Sequence, residues 1–143
     1  MRGLINGSAT QDEVSLAVIL VPASGEDMMI NWWNWRPAVV MLVRAGILPA
    51  GEREERCLAN GCGGCFSDAE ALRAAEYIEG LVGDMKPGQR VLFDGAVTEK
   101  PIDYAKQISE WDEADTWDNY SAQYDLLRDF AAFCRRSGGF EVL

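Results

Sequence analysis

One stretch of this chain constrains its fold more than any other. Between Asn119 and Arg136, Tyr120, Tyr124, Leu127, Ala131 and Cys134 fall at i, i+4, i+7, i+11 and i+14. That spacing places them on one face of an α-helix. Arg135 and Arg136 sit in its last turn, where cations suit the helix dipole. Ser137-Gly138-Gly139 stops it, and Phe140-Glu141-Val142 follows as a candidate edge strand. An amphipathic helix gains most of its stability by burying its apolar face against another element, so the chain must supply a second layer.

Several other segments can form that layer. Val14–Val21 is β-branched and apolar, bounded by Pro22 and Gly25, and reads as a buried strand. Asp12 and Glu13 stand directly before it, where a signal peptide carries positive charge. Ala23–Ile30 reads as a loop. Asn34 can cap a helix over 35–45 with Pro37 in its first turn, ended by Gly46 and apolar almost all round. Ser67-Asp68-Ala69-Glu70 is a capping box opening a helix over 68–82, with Leu72, Ala75, Ile78 or Glu79, and Val82 on one face. Arg90–Phe93 is a short strand, and Asp94-Gly95 is a hairpin turn from which Ala96–Thr98 can pair back. Strand, helix, helix, strands, helix, strand is not the strict alternation of a doubly wound fold. The expectation is therefore one α+β domain over residues 1–143, with 1–12 as a loose start and about three helices on a small, mostly antiparallel sheet.

Composition then narrows the chemistry. The chain carries a net charge of -10 and no histidine. The charge argues against a nucleic-acid backbone binder, which needs clustered Lys and Arg, and equally against an anionic membrane surface. The missing imidazole removes Ser-His-Asp and Cys-His catalysis and His-ligated zinc. No run reaches the roughly twenty apolar residues that span a bilayer. A cytoplasmic location is expected, and with it reduced cysteines. No catalytic set and no cofactor are expected.

Three groups of residues stand out. Cys57, Cys62 and Cys65 form C-x4-C-x2-C, with Cys134 far downstream. This is the spacing of a plant-type iron–sulfur loop, but Cys134 falls on the apolar stripe of the last helix, so a metal module is the alternative rather than the first reading. Trp32, Trp33 and Trp35 place three indoles in four residues. They cannot all point one way, so at least one enters the core and another is available as a contact anchor. Finally, Asp103 to Asp125 holds seven acids against one lysine, a net of -6, interleaved with Trp111 and Trp117. Asp112, Glu113, Asp115 and Asp118 are suited to steering a basic protein partner, and an adjacent tryptophan to anchoring it.

The segments Asn31-Trp32-Trp33-Asn34-Trp35-Arg36-Pro37, Val91–Pro101 and Phe130–Val142 together resemble a group of small bacterial hypothetical proteins. That resemblance implies no activity, cofactor or site residue. Immunity proteins that neutralise toxins are comparably small and acidic, a likeness of size and charge only. The reading is an acidic protein-binding protein, immunity- or regulator-like, that docks a basic partner. Its alternatives are the cysteine–metal module and an enzyme without histidine chemistry.

Overall fold

The computed structural model describes residues 17–58, 63–102 and 120–143. In chain order they form β1 (Ala17–Pro22), β2 (Met28–Asn31), α1 (Trp32–Arg44), α2 (Glu52–Cys57), β3 (Gly64–Phe66), α3 (Asp68–Asp84), β4 (Arg90–Leu92), β5 (Val97–Thr98), β6 (Ser121–Gln123), α4 (Tyr124–Ser137) and β7 (Phe140–Val142). The result is a single compact α+β domain, its helices packed against two small antiparallel sheets.

The first sheet has the order β2-β1-β7-β3. Val18 pairs with Ile30, Leu20 with Val142, and Phe66 with Phe140. All six are buried, as the two-residue period of a strand demands for one inward face. Phe140–Val142 is therefore an interior strand and not the edge strand expected from its position. The reason is that β7 supplies Phe140 and Val142 to the core between β1 and β3. The Ala23–Ile30 segment, expected as a loop, gives β2 from Met28 onward. The second sheet is β5-β4-β6. It contains the expected hairpin, with the amide of Gly95 donating to the Leu92 carbonyl at 2.9 Å.

Helix starts follow their caps. Asn31, not Asn34, caps α1: its Oδ1 accepts the Asn34 amide at 3.0 Å. The helix therefore starts three residues before the expected 35, and Pro37 lies in its second turn. At α3 both halves of the capping box are present, the Glu70 amide donating to Ser67 Oγ and the Ser67 amide to Glu70 Oε1. Its buried stripe is Ala71, Ala74, Ala75 and Ile78, with Leu72 largely outside; three alanines allow close approach to α4. The last helix begins at Tyr124, because Ser121–Gln123 is drawn into β6 beside β4.

The core is joined by aromatic contacts across four elements. Trp35 meets Phe130 edge-on at 5.7 Å, Phe130 meets Phe140 at 6.1 Å, and Phe66 stacks on Phe140 at 4.6 Å. The arginines after the helix stripe do more than suit a dipole. Arg135 pairs with Glu79 of α3, and Arg136 donates to the Glu26 carbonyl in the β1–β2 turn at 2.9 Å.

Arg53 of α2 makes a bidentate pair with Glu70 at 2.6 Å. This hydrogen-bonded guanidinium holds the Glu70 carboxyl well below its ordinary 4.5, at about 2. A depressed carboxylate contributes stability that is present in full above pH 4.5 and lost as pH falls toward 2. The expected outcome is that Glu70→Gln lowers the urea midpoint near neutral pH and flattens the acid limb between those values. An unchanged acid limb would show that the pair does not contribute it.

Candidate interaction surface

An α-helix turns 100° per residue, so Trp32, Trp33 and Trp35 at the start of α1 must splay. The structure sends Trp35 inward, at 0% exposure, with its indole N–H donating to the Cys57 carbonyl at 2.7 Å. Trp35 thus has no exposed surface to offer a partner. Trp32 and Trp33 are half-buried.

The half-buried pair belongs to a cluster that spacing alone did not show. Trp33 lies with its ring centroid 4.2 Å from that of Tyr120, and Phe93 lies 5.3 Å from Tyr120 on another side. The Arg36 guanidinium sits 5.3 Å from the Trp32 ring and 5.7 Å from Tyr120, within cation–π range. Arg36, Phe93 and Tyr120 were not among the candidate residues. Tyr120 was assigned to the helix stripe, whereas it stands just before β6 with its ring against α1. Arg36, four residues before Val40 on a helix, carried no distinguishing sequence signal.

The small sheet is tied to α1 by an amide relay. Asn34 Nδ2 donates to Asn31 Oδ1 at 3.0 Å, and Asn34 Oδ1 accepts the Gln123 amide at 3.0 Å. Arg90, 3% exposed, performs a related task within the sheet. Its Nε donates to the Lys100 carbonyl at 2.9 Å and its Nη1 to Ser121 Oγ at 3.1 Å. Lys100 precedes the acidic stretch and Ser121 lies near its end, so one guanidinium bonds to the stems on either side of residues 103–119. Trp111, Asp112, Glu113, Asp115, Trp117 and Asp118 lie outside the described residues, as do the loose start over 1–12 and the part of the Val14–Val21 strand before Ala17.

Beside the stems is a cleft of about 270 Å³ lined by Gln89, Arg90, Lys100, Ile102, Tyr124 and Asp125, among others. Asp125 and Lys100 are both exposed in it, so neither of these described residues is the desolvated acid or base that catalysis tunes.

The cysteine loop does not assemble a metal site among the described residues, where no three Cys, Asp or Glu side chains gather as ligands. Burial pushes the Cys57 thiol up to about 11 and the Cys134 thiol higher still. Cys134 is core on α4, Cys65 is exposed, and Cys62 lies outside the described residues. The chain carries no helix among these residues long and apolar enough to cross a membrane. No family model, curated protein or solved structure matches it.

Proposed function

We propose that this chain is a cytoplasmic binding protein that docks a basic protein partner through the acidic stretch from Asp103 to Asp125 and the aromatic cluster at its end. The observation that carries this reading is the Trp33–Tyr120 ring contact at 4.2 Å. Tyr120 falls inside the stretch of net charge -6, so a residue of that stretch meets the rings at the start of α1, far from it in sequence. The Arg90 bonds to both stems support the same reading, since they fix where that stretch leaves and rejoins the domain. Indole and phenol rings supply contact area at low conformational cost, and clustered carboxylates accelerate encounter with a cationic surface.

The test begins with capture of partners from host extract, followed by kinetics with the purified partner. Changing Asp112, Glu113, Asp115 and Asp118 to Asn or Gln should chiefly slow association, by about tenfold or more at low salt, with the difference shrinking as salt rises. Trp33→Ala should chiefly speed dissociation. Partners captured equally well by the fourfold neutral variant, with unchanged rates, would remove the acidic stretch from the interface.

A further inference from the structure

A bare sheet edge is a template for another chain, so natural folds cover or shorten their edges. Among the described residues, three of the four edges here are treated in that way. At β3 the Cys65 carbonyl accepts from Arg53 Nη2 at 2.8 Å, and at β6 the Gln123 amide donates to Asn34 Oδ1 at 3.0 Å. The third, β5, is two residues long. The fourth edge is β2.

The register fixes which groups of β2 face outward. Ile19 of β1 exchanges both backbone bonds with Leu143, its amide donating at 3.1 Å and its carbonyl accepting at 2.9 Å. Bonded and non-bonded pairs alternate along an antiparallel ladder. Val18 and Leu20 therefore turn their polar groups toward β2, where they meet Ile30 and Met28. The amide and carbonyl of Met29, between those two, point away from the sheet, and neither has a partner among the described residues. The Met29 side chain is 62% exposed and stands beside Ile19, on the face opposite the buried Val18 and Leu20. No lysine or proline protects the strand, whose sequence is MMIN.

We propose that β2 pairs with β2 of a second copy of this chain, antiparallel about a two-fold axis at Met29. Such a contact is self-complementary, since each Met29 amide donates to the Met29 carbonyl of the other copy. The two methionines then lie side by side, and an Ile19 on each flank extends them into one apolar band across the outer face. The same register sets Asp27 of one copy opposite Asn31 of the other, and Glu26 opposite Trp32. That is where α1 begins. Of the four described helices, α1 alone carries no acid in its first turn. The second copy thus brings carboxylates to a helix N-terminus that has none, where negative charge is favourable. It also keeps the acids of the two copies apart. This contact is separate from the surface proposed for a basic partner and does not depend on it.

Sedimentation equilibrium of the full-length chain tests the proposal at 0.15 M salt, where like net charge is screened beyond about 8 Å. A four-residue edge makes a small interface, so the average mass should climb from monomer to dimer between about 10 μM and about 1 mM. Met29→Lys sets two like charges directly opposite each other and should remain monomeric throughout. Val97→Lys, at the exposed valine of β5, should dimerise as the unsubstituted chain does. Met29→Pro removes an amide that faces outward and spares the monomer's own ladder, so it replaces Met29→Lys should that variant not fold. In the unsubstituted chain, exchange of the Met29 amide should slow by about tenfold from dilute to concentrated protein. A chain that stays monomeric at the highest concentration overturns the proposal. So does a dimer that survives both Met29 substitutions, or one that Val97→Lys abolishes.

Discussion

Gly139→Ala should destabilise the protein by about 3–5 kcal/mol, combining strained backbone of order 1–3 kcal/mol with overpacking of similar size. Gly139 has φ +100°, and a Cβ there would lie 2.9 Å from the Phe66 carbonyl oxygen and 3.0 Å from the Asp68 amide nitrogen. Those atoms belong to the end of β3 and the start of α3, which the capping box holds in place, so neither can retreat cheaply. The neighbouring Gly138 is the internal control. It has φ +72° as the cap of α4, but the nearest atom to an added Cβ is the Ala23 methyl at 3.5 Å, ordinary contact. Gly138→Ala should therefore cost only about 1 kcal/mol. Urea unfolding of the two variants side by side measures the difference. Equal losses would mean that the close passage of residue 139 beneath the β3–α3 junction is not present in solution.

Trp35→Ala should cost a comparable amount, about 3–5 kcal/mol, the range for truncating a large buried aromatic. Trp35 is wholly buried, packs edge-on against Phe130 and satisfies the Cys57 carbonyl at the end of α2. Trp35→Phe separates these contributions. It keeps most of the apolar volume but leaves the carbonyl without its donor, a loss of about 1–3 kcal/mol. Trp33→Ala removes a half-buried ring and should cost about 1 kcal/mol, as expected away from the core. If Trp33→Ala proved as damaging as Trp35→Ala, the assignment of one indole to the core and the other to the surface cluster would be wrong.

Much of the helical framework could be read from residues close together in the chain. The capping box at Ser67 and Glu70, the stop at Gly138-Gly139 and the stripe Leu127, Ala131, Cys134 each depend on atoms within about a turn of one another. Errors arose where a distant partner competes for the same residues. Ser121–Gln123 continues the helical stripe by spacing, yet pairing with Arg90–Leu92 makes it strand. Gly64 and Cys65 fall within the cysteine loop by spacing, yet Gly64–Phe66 is strand, and its third residue stacks on Phe140 in the core. At the candidate surface, the tryptophans and acids could be singled out by residue type, whereas Arg36, Phe93 and Tyr120 become part of the site only through contacts formed on folding.

The sequence by itself determined the α+β class, the absence of imidazole chemistry, the acidic charge and where three helices lie, because composition and local periodicity suffice for these. Tertiary structure alone decided that β7 is interior, that Trp35 rather than Trp33 enters the core, and that Arg90 bonds to both stems of the acidic stretch. The physical reason is separation. The Asn34 side chain meets the Gln123 amide across 89 positions, and a pairing of that span is specified by the packing of the whole core rather than by any pattern along the chain.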